Sequence, residues 1–219
     1  MKQEGHIVKS YDEEIRDIKN NIVDMGSLVE NQLKDSLQCL KDKDTEFAEK
    51  IIENDNVIDK AYNTLDQSLV EILGKRQPMA ADLRTIFSAI KINKDLERIG
   101  DHASNIAGRI LHVKKAPENY LTDSIYQLGQ LVLKNFSKAL SSYDQQSQKI
   151  AQIVPAEDVT INSVYETCFR EHLHLMMEEP KILGFCTQML FIAKELERIG
   201  DLSKVISKEV AQKLKELGV

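Results

Sequence analysis

The sequence predicts an all-α protein: two tandem, pseudo-symmetric three-helix bundles, six long antiparallel helices in all. Three observations carry that prediction. Apolar residues recur at helical spacing along nearly the whole chain, and no segment survives as a strand candidate. Only 9 Gly and 4 Pro occur in 219 residues, too few for the many turns of an all-β fold. Third, the chain repeats itself: Leu96-Glu97-Arg98-Ile99-Gly100-Asp101 recurs letter for letter as Leu196-Glu197-Arg198-Ile199-Gly200-Asp201.

The elements follow in order. Ser10 with Glu13 has the form of a capping box and predicts the start of the first helix. Its apolar stripe is Ile15, Ile18, Ile22, Met25, Val29, Leu33, Leu37 and Leu40. Lys41-Asp42-Lys43-Asp44 interrupts the pattern, and Asp44 suits the N-cap of the second helix. That helix carries Ile51, Ile58, Tyr62, Leu65, Leu69 and Ile72 on one face and ends between Gly74 and Pro78. Pro78 suits the first turn of the third helix, whose face holds Leu83, Ile86, Ile92, Leu96, Ile99, Ala103, Ile106 and Ile110. Lys114-Lys115-Ala116-Pro117 closes it and divides the chain into 1–117 and 118–219, one bundle each.

A fourth helix follows on Ile125, Leu128, Val132, Phe136 and Leu140. The fifth runs from about Gln146 to Met177, with Pro155 marking a kink or break. Glu179-Pro180 starts the sixth, with Leu190, Leu196, Ile199, Val205, Ile206 and Val210 on its apolar face. The repeat extends beyond the hexapeptide. A shift of 103 residues aligns Gly26 with Gly129, Leu37 with Leu140, Asp55 with Asp158 and Tyr62 with Tyr165. After the second turn of each unit the shift falls to 100, as expected of a duplicated unit that lost three turn residues.

Composition removes several functional classes. Net charge is −6 and no basic stripe interleaved with aromatics exists, so nucleic acid is not expected as a partner. Three widely spaced cysteines, Cys39, Cys168 and Cys186, form no CxxC pair, which points to a reduced, cytoplasmic setting. The N-terminal residues lack the apolar core of a signal peptide. The most apolar window, from Leu183 to Ala193, is too short to span a bilayer, so membrane association would come only through partners. No glycine-rich phosphate loop or Ser-His-Asp arrangement is present. Glu171-His172-Leu173-His174 holds one ExxH, but its repeat lacks the second that a di-iron bundle requires.

The chemistry concentrates in carboxylates. Glu97 and Asp101 are four apart, as are Glu197 and Asp201, so each pair shares one helix face. Helices rise equally per residue, so positions equidistant from a hairpin turn lie at one height. With turns near Gln77-Pro78 and Glu179-Pro180, Asp55 and Asp59 come level with Asp101 and Glu97. Asp158 and Asn162 come level with Asp201 and Glu197. The angular positions put Glu97 and Asp101 on the outer surface, and Asp55 and Asp59 at the flank of their own apolar stripe, within reach of the neighbouring helix. Clustered acids repel unless protons or a cation compensate. An all-oxygen set selects a hard ion, Mg²⁺, Mn²⁺, Ca²⁺ or iron. The competing reading is a solvated face paired to Lys94 and Arg98. Gly100 and Gly200, each costing on the order of 1 kcal/mol mid-helix, suggest close helix packing.

These residues resemble the PhoU family of bacterial phosphate-transport regulators. The resemblance rests on LERIGDHASNIA at Leu96–Ala107, LERIGDLSKVI at Leu196–Ile206, and Lys75-Arg76-Gln77-Pro78 followed by Asp82-Leu83-Arg84. Met25-Gly26 with Val29-Glu30, and Met176-Met177-Glu178-Glu179, add to it. The resemblance implies two three-helix bundles with E(D)xxxD motifs able to bind metal, including multinuclear clusters. Here these fall on Glu97/Asp101, Glu197/Asp201, Asp55/Asp59 and, departing from the pattern, Asp158/Asn162. It implies a non-enzymatic cytoplasmic role in phosphate homeostasis: negative regulation of phosphate uptake and starvation signalling. The implied partners are the ATPase subunit of the phosphate ABC transporter, the sensor histidine kinase of the phosphate two-component system, and a second copy in a homodimer. The alternative expectation from the residues is a carboxylate-bridged metalloenzyme, and a further one is a purely structural bundle.

Overall fold

The computed structural model describes residues 4–76, 78–113 and 122–218. Six α-helices run in order: α1 (Glu4–Asp42), α2 (Thr45–Arg76), α3 (Ala80–Ile110), α4 (Thr122–Asp144), α5 (Gln148–Glu178) and α6 (Leu183–Leu217). A 3₁₀ turn, Pro180–Ile182, leads into α6. Among the described residues there is no strand. Gln77 of the first hairpin turn, and Lys114 to Pro117 at the expected boundary, lie outside the described residues.

The apolar stripes close largely as expected, with Leu83 and Leu190 partly exposed and outside the core. Ile22, Val29, Leu33, Leu37, Ile92, Leu96, Ile99 and Ile106 are fully buried, as are Val132, Phe136, Ile192, Leu196, Ile199 and Ile206. They belong to one continuous core. The first unit packs α1, α2 and α3 together; the second packs α4, α5 and α6. The units join through α1 against α4 and α3 against α6, while α2 and α5 each stay within their own unit. Repeat-related helices therefore make repeat-related contacts. Gly26 of α1 faces Leu140 of α4, and Gly129 of α4 faces Leu37 of α1.

Several boundaries differ from the sequence expectation. Helix α1 already begins at Glu4, so Ser10 lies inside it rather than capping it. A single capping-type residue does not stop a helix that is already propagating. Helix α2 ends at Arg76, between Gly74 and Pro78 as expected. Pro78 precedes the N-cap Met79 of α3 and is not in its first turn. Helix α5 continues through Pro155 without a break. Pro155 stands in the third turn of α5, and the burial of Ala151 and Val154 around it holds the helix together. Val205 is 46% exposed and not part of the core, since Ile206 takes the inward position beside it. Asp44 does cap α2: its Oδ1 accepts from the backbone N–H of Phe47 at 3.0 Å. Lys43, with φ of 55°, turns the chain between α1 and α2 in the left-handed region.

Candidate metal centre

Helices α2 and α3 form an antiparallel hairpin, and its arms come close at Gly100. A methyl group placed on Gly100 would lie 3.1 Å from Ile58 and 3.8 Å from Asp55 Oδ1. The same arrangement recurs between α5 and α6, where Gly200 lies against Ile161 and Asp158 Oδ1, each 3.5 Å from a methyl placed there. Gly100 thus serves close approach of the partner helix, whereas at Gly200 an added methyl would make only ordinary van der Waals contact. The heights inferred from helix rise also hold, with Asp55 beside position 100 and Asp158 beside position 200.

In the first hairpin, Asp59, Glu97 and Asp101 each offer a carboxylate oxygen, and these oxygens lie within 4.8 Å of one another. Asp59 and Asp101 are exposed and Glu97 is half-buried, so the cluster opens onto the outer surface. Partial burial pushes the Glu97 carboxyl up from its ordinary value, and the charges of Asp101 and Asp59 add to this. Asp101 is raised in the same way, by burial first and then by Asp55 and Asp59. Arg98 does not neutralise the cluster by ion pairing; it turns to Asp95 at 3.7 Å. Asp55 sits one layer deeper. Its Oδ1 accepts from Gln32 Nε2 of α1 at 2.7 Å, and the same nitrogen donates to the Gly100 carbonyl at 3.1 Å. Gln32, almost fully buried, thereby ties all three helices of the unit at the level of the acids. An oxygen-only, crowded and electrostatically strained donor set fits a hard cation. Asp59, Glu97 and Asp101 would hold it, with Asp55 behind them.

The second hairpin is arranged differently. Lys204 Nζ donates to Asp158 Oδ2 and to Asp201 Oδ1, both at 2.6 Å. Asn162 Nδ2 donates to the same Asp158 oxygen at 3.3 Å. Glu197 turns away to Lys194 at 2.7 Å. Asp158 is buried, and its other oxygen has no hydrogen-bond partner. The repeat counterpart of Gln32 explains this. Asn135 is one methylene shorter, and its Nδ2 donates to the Val154 carbonyl at 3.4 Å instead.

Gln32 and Lys204, not singled out by the motif reading, take part here; His102, read as optional because Leu202 stands in its place in the second copy, pairs elsewhere. Comparison of repeat positions could have found the first two, since Asn135 replaces Gln32 and Lys204 replaces Ser104. His102 of α3 pairs with Glu195 of α6 at 2.7 Å across the two units. His172 and His174 diverge: His172 is buried with Nδ1 on the Cys168 carbonyl, while His174 pairs with Glu178 on the surface.

The comparisons with known proteins coincide with this duplicated architecture. The family model described as the PhoU domain matches residues 22–110 and again 125–210. The chain belongs to the PhoU family. A relative from Rhizobium meliloti is 35% identical over 207 residues, covering 94% of this chain and 87% of its own length. One from Xylella fastidiosa is 37% identical over 205 residues, covering 94% and 86%. Both are called phosphate-specific transport system accessory protein PhoU homolog. The crystal structure of PhoU from Pseudomonas aeruginosa superposes with a TM-score of 0.91 at 32% identity, over 94% of this chain and 99% of that one. The phosphate transport system regulatory protein PhoU from Streptococcus pneumoniae gives 0.86 at 26% identity, over 95% and 98%. The PhoU family fold, two three-helix units in tandem, is thus the fold of this chain.

Proposed function

We propose that the chain is a cytoplasmic, non-enzymatic negative regulator of phosphate uptake and phosphate-starvation signalling. It acts by binding the ATPase subunit of a phosphate ABC transporter and the sensor histidine kinase of the phosphate two-component system, as a homodimer. The observation that carries this reading is the pair of PhoU domains along nearly the whole chain, in relatives named as accessory proteins of phosphate-specific transport. Among the described residues no helix is long and apolar enough to cross a membrane, so a transporter would be reached as a docked partner.

The first acidic hairpin is the regulatory site in this reading, with iron, Mn²⁺, Mg²⁺ or Ca²⁺ as its ligand. A bound ion there supplies positive charge that relieves the repulsion among the acids. The chain's own part is to hold Asp59 on α2 and Glu97 and Asp101 on α3 at one height, so that occupancy fastens the two helices together. Gln32 fixes the depth of Asp55 and passes that fastening to α1. A metalloenzyme on the same residues would need a walled pocket with an open coordination position; exposed Asp59 and Asp101 on the outer face favour the regulator.

The test is a strain in which the chromosomal copy carries alanine at Asp59, Glu97 and Asp101. We expect loss of bound metal, weaker capture of the transporter ATPase from extract, and derepression of a phosphate-starvation reporter in high phosphate. Unchanged repression with lost metal sinks the role of the ion. Unchanged repression on deleting the whole gene sinks the regulator.

A further inference from the structure

The two hairpins are related by the repeat, yet their ligand sets are not equivalent. The first places Asp55, Asp59, Glu97 and Asp101 together, with the uncharged Ser104 one turn beyond. The second offers Asp158, Asn162, Glu197 and Asp201, with Lys204 in the place of Ser104. The exchange removes one negative charge and adds one positive charge.

The added charge lies inside the site. Lys204 is 23% exposed, and its ammonium bridges Asp158, 4% exposed, and Asp201, 50% exposed. Those two carboxylates are the ones a hard ion in this hairpin would have to bridge. Oxygen–metal distances run from about 2.0 to 2.6 Å, so an ion between them would occupy the volume that Nζ fills. It would also face an ammonium at close range with one fewer acid to compensate. Among the described residues, the close group of acidic side chains with metal-ligand spacing is the Asp59, Glu97 and Asp101 set of the first hairpin. Burial works against the charged form of Lys204, but hydrogen bonds and charge from Asp158 and Asp201 outweigh it and raise its pKa.

We propose that Lys204 is the resident cation of the second hairpin, which therefore takes no metal. Asn162 belongs to the same device. Its amide donates to Asp158 Oδ2 alongside Lys204, where an aspartate would add repulsion. Glu197, drawn to Lys194, completes the dispersal of the set. The proposal refines the metal reading of the first hairpin but does not depend on it, because the ammonium bridge is a property of the second hairpin alone.

The experiment uses full-length protein and Mn²⁺ as probe, with binding read by calorimetry and by the loss of free-ion paramagnetic resonance. Four proteins are compared: wild type, Glu97→Gln/Asp101→Asn, Lys204→Ser/Asn162→Asp, and the combination of all four changes. Circular dichroism establishes that each is folded. We expect the first double variant to lose Mn²⁺ binding, and the combined variant to regain a class of sites that Asp201→Asn then abolishes. Lys204→Arg should bind as wild type does. If Glu97→Gln/Asp101→Asn retains Mn²⁺ that Asp158→Asn removes, Lys204 does not exclude metal and the proposal falls. If the combined variant is folded and gains nothing, it falls as well. If wild type binds no Mn²⁺ while Lys204→Ser/Asn162→Asp does, the proposal stands and the first-hairpin reading is the one that fails.

Discussion

Leu37 of α1 lies directly against Gly129 of α4, so closely that a methyl group on the glycine would overlap the leucine's terminal carbons. The repeat counterpart, Leu140 against Gly26, reproduces the relationship in the opposite direction. The two contacts differ in freedom, because Leu37 is fully buried and Leu140 only partly. Alanine gains about 1 kcal/mol of helix propensity over glycine, while overpacking a filled core costs about 1–3 kcal/mol. Gly129→Ala should therefore destabilise by up to about 2 kcal/mol, whereas Gly26→Ala should be close to neutral as Leu140 swings aside. Denaturant unfolding of both variants checks this; equal effects would show that the leucines are equally free.

Gln32 is expected to matter more than its distance from the surface suggests. Its replacement by Leu keeps the volume roughly constant but strips a donor from Asp55 Oδ1 and from the Gly100 carbonyl. A buried acceptor left without its partner costs about 1–3 kcal/mol. Thermal unfolding should fall accordingly, and Mn²⁺ affinity should weaken in the same variant because Asp55 is no longer held. A variant as stable as wild type, with unchanged Mn²⁺ titration, would remove Gln32 from the site.

A pH dependence should appear at the far end of the first unit. Arg76 donates to both carboxylate oxygens of Glu14, at 3.0 and 2.6 Å, joining the end of α2 to α1. These hydrogen bonds, ahead of the guanidinium charge, hold the Glu14 carboxyl below its ordinary value of 4.5, against a smaller opposing effect of burial. A lowered folded-state pKa gives stabilisation that is complete above 4.5 and lost as pH falls through the lowered value. Both side chains are about a third exposed or less, so screening limits the pair to about 0.5–1 kcal/mol. Glu14→Gln should lower the unfolding temperature slightly at pH 7, and the difference from wild type should close as the pH drops well below 4.5. A difference that persists in strong acid would mean the glutamate acts through packing.

The thiols should be silent in the folded protein. Cys39, Cys168 and Cys186 are all buried and free. Burial, followed by the charges of Asp44 and Asp42, pushes the Cys39 thiol up to about 11. Burial raises the other two as well. Ellman's reagent at mildly alkaline pH should label none of them natively and all three in denaturant. Prompt native reaction would reveal local opening around the reactive thiol.

Much of this architecture was legible in the sequence because its rules are local or arithmetic. The apolar stripes gave six helices, and equal rise per residue gave the level of Asp55 with position 100 and Asp158 with position 200. The rest depended on information that a stripe does not hold. Ser10 looked like a cap, yet the helix starts upstream at Glu4. Pro155 looked like a break, yet α5 runs through it. The His102–Glu195 pair required knowing how the two units dock, which neither unit's periodicity specifies. Lys204 was the subtlest: it lies outside the repeated hexapeptide, and only the reach of a long flexible side chain brings its charge between Asp158 and Asp201.

The α1–α4 junction has one more implication. Its leucine and glycine of one half meet the glycine and leucine of the other, which is the pattern of an isologous interface folded into a single polypeptide. An isologous contact saturates itself: each half has already spent that patch on the other. A second copy or any other protein must engage different ground. Helices α2 and α5, which touch no helix of the opposite half, form the two flanks of the molecule, and each carries part of one acidic hairpin. On the proposed reading, the hairpin at one flank would alter its charge with the ion supply, while the hairpin at the other keeps Lys204 of α6 as its counter-charge. A partner that grips both flanks would meet one fixed jaw and one adjustable jaw.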